Sequence, residues 1–146
     1  LKTIVISGAK RGVGKSTLAE KISVVIGDSE IVKIGHHESK PDKTVRLFPM
    51  GSRYQTVCNS VGDTPYLIIE SNSILEEITP ECVIYIAADN SKPSAKIAIA
   101  KADIISGSII DKEKIECLAG RLSLTEATVI QIVTLAGAFT ENNNYE

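Results

Sequence analysis

The sequence predicts a three-layer α/β domain built on a mainly parallel sheet. Three observations carry that prediction. Short β-branched runs recur at 4–6, 31–34, 66–69, 83–86 and 104–105 without alternating polar residues, the pattern of strands buried on both faces. Segments with helical spacing lie between them, as in chains that wind helices over a parallel sheet. A glycine-rich turn ending in Gly14, Lys15 and Ser16 follows the first run directly.

Each element can be justified in order. After the first strand, Leu18, Ile22, Val25 and Ile26 recur at helical spacing from Gly14, and Gly27 stands where a C-terminal cap belongs. The second strand covers 31–34. The stretch 35–64 carries only weak signals, at 45–48, where a short helix and a hairpin are equally compatible, and at 53–58. Long irregular connections of this kind are usually functional. Strands follow at 66–69 and 83–86. Pro93 suits the first turn of an Ala-rich helix through Ala102, since its missing N–H would be unpaired there anyway. After the strand at 104–105, Asp111 can cap a helix to about Leu122. Ser123 and Glu126 have capping-box spacing for a last helix carrying Val129, Ile132 and Val133. No internal repeat or linker interrupts the pattern, so residues 1–140 read as one domain and 141–146 as a polar tail that frays.

Composition excludes several classes. Of 146 residues, 43% are hydrophobic, a chain that can bury enough surface to fold without a metal or disulfide staple. Lys and Arg number 16 against 18 Asp and Glu, a net charge of -2, which argues against nucleic acid or a membrane surface as partner. Cys58, Cys82 and Cys117 are odd in number and lack C-x-x-C spacing. They read as reduced thiols in the cytoplasm. No apolar stretch reaches the roughly 18 residues of a spanning helix, and Leu1, Lys2, Thr3 and Ile4 do not form a charged-then-apolar leader.

The turn after the first strand concentrates the chemistry. Ala9, Lys10, Arg11, Gly12, Val13, Gly14, Lys15 and Ser16, followed by Thr17, fit the phosphate-loop pattern G-x-x-x-x-G-K-[ST] with Ala in the first place. Gly12 and Gly14 can take positive φ, so successive N–H groups can converge on an anion. Lys15 would reach the β- and γ-phosphates, Ser16 would offer its hydroxyl to Mg2+, and the helix start would face the same phosphates. The expected ligand is therefore a Mg-nucleotide, GTP or ATP, on a P-loop NTPase fold. Such a site needs a carboxylate at a neighbouring strand tip. Glu70 is the first candidate, as metal holder and as the group acting on water, and Asp89 the second. Asp42 and Thr44 could complete the metal shell. The guanine-reading N-K-x-D pattern is absent: Ala100, Lys101, Ala102 and Asp103 precede a strand where the motif should follow one. Ser106, Gly107 and Ser108 stand at the expected place and could meet a base through backbone groups. His36 and His37 could bind a metal with Glu38 or Cys58, but adjacent side chains on an extended segment point apart, which favours substrate or phosphate contact.

The run from Lys10 to Ser16 resembles the deviant phosphate loop K-G-G-x-G-K-[ST] of dimeric partition and cofactor-insertion ATPases, with Arg11 in place of one Gly. That resemblance implies a homodimer in which Lys10 reaches the partner's nucleotide. Lys33, His36, His37, Asp42, Lys43, Thr44, Arg46 and Gly51, with Glu70 and Ser71 where the family has E-G, extend the likeness. Over residues 2–90 the chain resembles the molybdopterin-guanine dinucleotide biosynthesis protein B family. The resemblance implies a dimeric accessory protein that helps attach a nucleotide to the molybdenum cofactor or deliver the cofactor, working with another cofactor-biosynthesis protein. The residues themselves leave three readings open: a slow accessory NTPase, a small-molecule kinase, and a non-catalytic nucleotide-binding module. Kinases of this size usually close an arginine-bearing lid on the transferred phosphoryl group. Only Arg11, Arg46, Arg53 and Arg121 occur, and residues 90–102 hold none.

Overall fold

The computed structural model of the chain describes residues 1–8, 14–35, 45–88 and 95–141. The apolar runs become strands β1 (Lys2–Gly8), β2 (Ser29–Ile34), β3 (Val45–Phe48), β4 (Tyr66–Glu70), β5 (Cys82–Ile86) and β6 (Ile104–Ile105). They form one sheet in the order β3-β2-β4-β1-β5-β6 with every pairing parallel. Side chains alternate across it. Ile4, Ile6, Ile68 and Ile84 enter one core, and Val5, Leu67, Ile69 and Val83 the other, none more than 1% exposed. Each such side chain stabilises the fold by about 1.5–3 kcal/mol.

Helices α1 (Lys15–Ile26), α4 (Lys112–Leu122) and α5 (Glu126–Leu135) cover the first face through Leu18, Ile22, Leu118 and Val133. The second face is covered by α2 (Tyr54–Ser60), a 3-10 turn at Ser73–Glu76 and α3 (Ala95–Lys101), through Val57, Leu75 and Ala98. This is the three-layer α/β arrangement expected. A separate parallel pair, β7 (Ile109–Ile110) with β8 (Phe139–Thr140), lies outside the main sheet. No helix among the described residues is long and apolar enough to cross a membrane.

Two local expectations change. Residues 45–48 are neither a helix nor a hairpin. They form the parallel edge strand β3, in which Val45 packs against one core and Phe48 against the other. Arg46 reaches Glu30 at 3.2 Å along that edge, a charged pair that discourages further strand pairing. Ser123 does not cap α5. It closes α4 in the left-handed region at φ 55, and the cap of α5 is Thr125, whose hydroxyl accepts from the Thr128 N–H at 3.1 Å. The chain has to reverse between two consecutive helices, and that reversal takes Ser123 out of the extended conformation a capping residue needs. Asp111 caps α4 as expected, accepting from the Lys114 N–H at 2.8 Å.

The run Ala100, Lys101, Ala102, Asp103 braces the fold. Asp103 accepts from the Val83 N–H at 2.8 Å, from Lys114 at 2.6 Å and from Arg121 at 3.1 Å, and Arg121 also donates to the Glu81 carbonyl at 3.1 Å. Lys101 donates to the Ile78 carbonyl at 3.0 Å. Together these tie β5 to α3 and α4.

Candidate functional site

From β1 the chain turns toward β2 on one side of the sheet, and from β5 it turns toward β6 on the other. In open α/β sheets ligands bind outside the C-terminal strand ends at such a reversal point. Gly14 begins α1 there, at φ 92 and ψ 17, with no heavy atom within 4 Å of where a Cβ would stand. Its requirement is therefore conformational, the left-handed region that glycine adopts without strain. Lys15 is the first helical residue and is half-buried, whereas Ser16 and Thr17 are exposed.

Glu70 closes β4 beside Ile6 of β1 and is 6% exposed. The Ser16 hydroxyl donates to its Oε1 at 2.8 Å. Lys33 occupies the matching register position on β2, and its ammonium lies 3.7 Å from Oε2. A carboxylate this buried needs both a charge partner and hydrogen bonds to offset desolvation. The set fits a hard divalent cation: both donors are oxygens, and a serine giving its proton to a carboxylate keeps its lone pairs available. The structure thus brings together Ser16 and Glu70, two residues singled out from the sequence, with Lys33, which the sequence had named only as part of the family resemblance. Ala9, Lys10, Arg11, Gly12 and Val13 lie outside the described residues, as do His36, His37, Glu38, Asp42, Lys43, Thr44 and Asp89. Cys58 lies in α2, under the opposite face of the sheet from Ser16.

Beyond Glu70 the chain continues into Asn72, whose side chain meets β1. Asn72 Oδ1 accepts from the Gly8 N–H at 3.2 Å and from the Ser7 hydroxyl, and Asn72 Nδ2 donates to the Gly8 carbonyl at 3.2 Å. An open groove of about 310 Å³ adjoins the start of α1, with Thr17 and Lys21 along one wall and Ile86, Leu135 and Ala136 along the other. The N–H groups of Ser106, Gly107 and Ser108 are all bonded within the fold, to Tyr85, Gly137 and Ile105 carbonyls.

Sequence reasoning missed the partnership of Lys33 with Glu70 and the use made of Asn72. A lysine inside an apolar strand run is a visible signal, but its partner depends on strand register. Asn72 belongs to no motif, and its contact with β1 is set by the pairing of β1 with β4. Comparison of the chain with models of known protein families and with curated proteins finds no match.

Proposed function

We propose that the chain binds a magnesium–nucleoside triphosphate through residues 9–17 and hydrolyses it slowly as an accessory protein. The observation that carries this reading is the Ser16 to Glu70 hydrogen bond at the reversal point of a parallel sheet, at the start of the helix that follows β1. In that reading Lys15 neutralises the terminal phosphates, Ser16 presents its hydroxyl oxygen to the metal, and Glu70 holds the Ser16 proton and orients the attacking water. When bound, the magnesium neutralises charge that develops on the phosphate oxygens. Lys33 pairs with the buried Glu70 carboxylate from β2, 3.7 Å away. The groove walls are apolar apart from Thr17 and Lys21, which supports acceptance of both ATP and GTP.

The narrower role is drawn from the sequence resemblance: a cytoplasmic homodimer, with Lys10 reaching the partner's nucleotide, that assists molybdenum-cofactor nucleotide attachment or delivery alongside another protein of that process. Calorimetric titration with Mg-ATP and Mg-GTP tests the binding, with Lys15→Ala expected to abolish it. Absence of saturation with either nucleotide at millimolar concentration would defeat the reading. Phosphorus NMR with a metabolite extract tests the accessory role. Inorganic phosphate alone supports it, and a phosphorylated small molecule, lost on His36→Ala, would make the chain a kinase.

A further inference from the structure

We propose that Asn72 is a positioning residue for the phosphate loop, fixing Gly8, the last residue of β1 and the one from which that loop sets out. The inference rests on the nucleotide-binding reading above. Gly8 is the last residue of β1 and is buried. Its N–H and C=O face β4, because the last backbone bond between these strands runs from the Ser71 N–H to the Ile6 carbonyl at 3.1 Å, two residues earlier. Past that point β4 has ended. The Asn72 amide replaces the missing rung, accepting from the Gly8 N–H and donating to the Gly8 carbonyl.

Only an amide offers an acceptor and a donor side by side in this way. Aspartate would lose the donor and bring a negative charge to the root of an anion-binding loop. The local alternative for Asn72 is to cap the 3-10 turn that follows, and it does not do so. Ser71 does, its hydroxyl accepting from the Ile74 N–H at 3.2 Å. The Asn72 side chain is thereby free for Gly8. Glu70 and Asn72 leave the same strand end two residues apart, so one segment carries the metal-facing carboxylate and also fixes the root of the loop. Their separation is set by the backbone rather than by the ligand.

The test compares Mg-ADP and Mg-ATP affinity and saturated turnover in the unaltered protein, Asn72→Ala, and Asp103→Asn as a destabilised control far from the loop. A supporting group of this kind typically changes affinity by about 10–100-fold. The expected result is a loss of that size for both nucleotides in Asn72→Ala, with turnover at saturation within about threefold and Asp103→Asn binding like the unaltered protein. Equal losses for diphosphate and triphosphate mark ground-state phosphate binding, distinct from a transition-state role. If Asn72→Ala does not fold, Asn72→Asp, of matching size, carries the comparison with the same expected loss. Unchanged affinity in a folded Asn72 variant would overturn the inference and leave the nucleotide reading standing. An equal loss in Asp103→Asn would also overturn it, by tracing the effect to stability. No binding by the unaltered protein would overturn both.

Discussion

Replacing Glu70 with glutamine keeps the shape of the side chain and removes its charge. The amide oxygen can still accept from Ser16, so the 2.8 Å contact is retained. What is lost is the ion pair with Lys33 at 3.7 Å and the anionic attraction for a metal. At an effective dielectric of about 20 that pair is worth about 4 kcal/mol before desolvation. The Lys33 side chain is 26% exposed and Glu70 only 7%, so Lys33 can rehydrate and a neutral amide is cheaper to bury. The net cost to stability is then about 1–2 kcal/mol. Turnover should fall more. Removing a group that orients a metal ligand typically lowers activity about 10–100-fold, with nucleotide affinity kept within about threefold if the interaction strengthens at the transition state. Phosphate release at saturating nucleotide, calorimetric affinity and a urea melt measure the three quantities. Turnover that survives Glu70→Gln but disappears in Asp89→Asn would refute the assignment of the metal carboxylate to β4.

Asp103→Ala should cost about 2–3 kcal/mol in urea unfolding, because the Val83 N–H is left buried without its acceptor while Lys114 and Arg121 reach solvent. Cys82 should resist thiol reagents in the folded protein and react on denaturation, whereas exposed Cys117 reacts at once. Burial pushes the Cys82 thiol far above its ordinary value. Its contribution to stability is therefore complete below about pH 8.5, the unfolded value, and declines as pH rises from there toward the raised folded one. Stability at pH 10 should accordingly be lower than at pH 8, and less so in Cys82→Ala. Ser123→Gly should stabilise the chain by about 0.5–1 kcal/mol, read as a rise in thermal midpoint, since Ser123 holds φ 55 with a Cβ that glycine lacks.

The layer architecture was legible because short, predominantly apolar runs without alternation have few other uses, and the five runs at 4–6, 31–34, 66–69, 83–86 and 104–105 all became strands of one sheet. Gly14, Gly27 and Asp111 were legible as helix ends because each performs its task through local backbone chemistry. Val45–Phe48 was not, since four residues are too few to show a period and their pairing with β2 is decided by tertiary contact. Ser123 and Thr125 both carry a capping hydroxyl, and only the turn geometry between α4 and α5 selects the second. At the site, Ser16 and Glu70 were each visible as residue types in the right place. The partner of Lys33 and the task of Asn72 were not, because what these residues touch depends on which strands are neighbours.

Asp103, Lys114 and Arg121 clasp the sheet near the start of β5, whereas Ser16, Glu70 and Asn72 gather at the other rim, where β1 and β4 end. Substitutions that share no contacts and stand well apart usually combine additively. The molecule therefore offers two independent handles. Ser123→Gly, outside both groups, can serve as a reinforced background in which damaging changes at the C-terminal rim are tolerated. Its gain of about 0.5–1 kcal/mol offsets part of the cost of Glu70→Gln, so an affinity measured there would report more on chemistry at that rim and less on collapse of the chain.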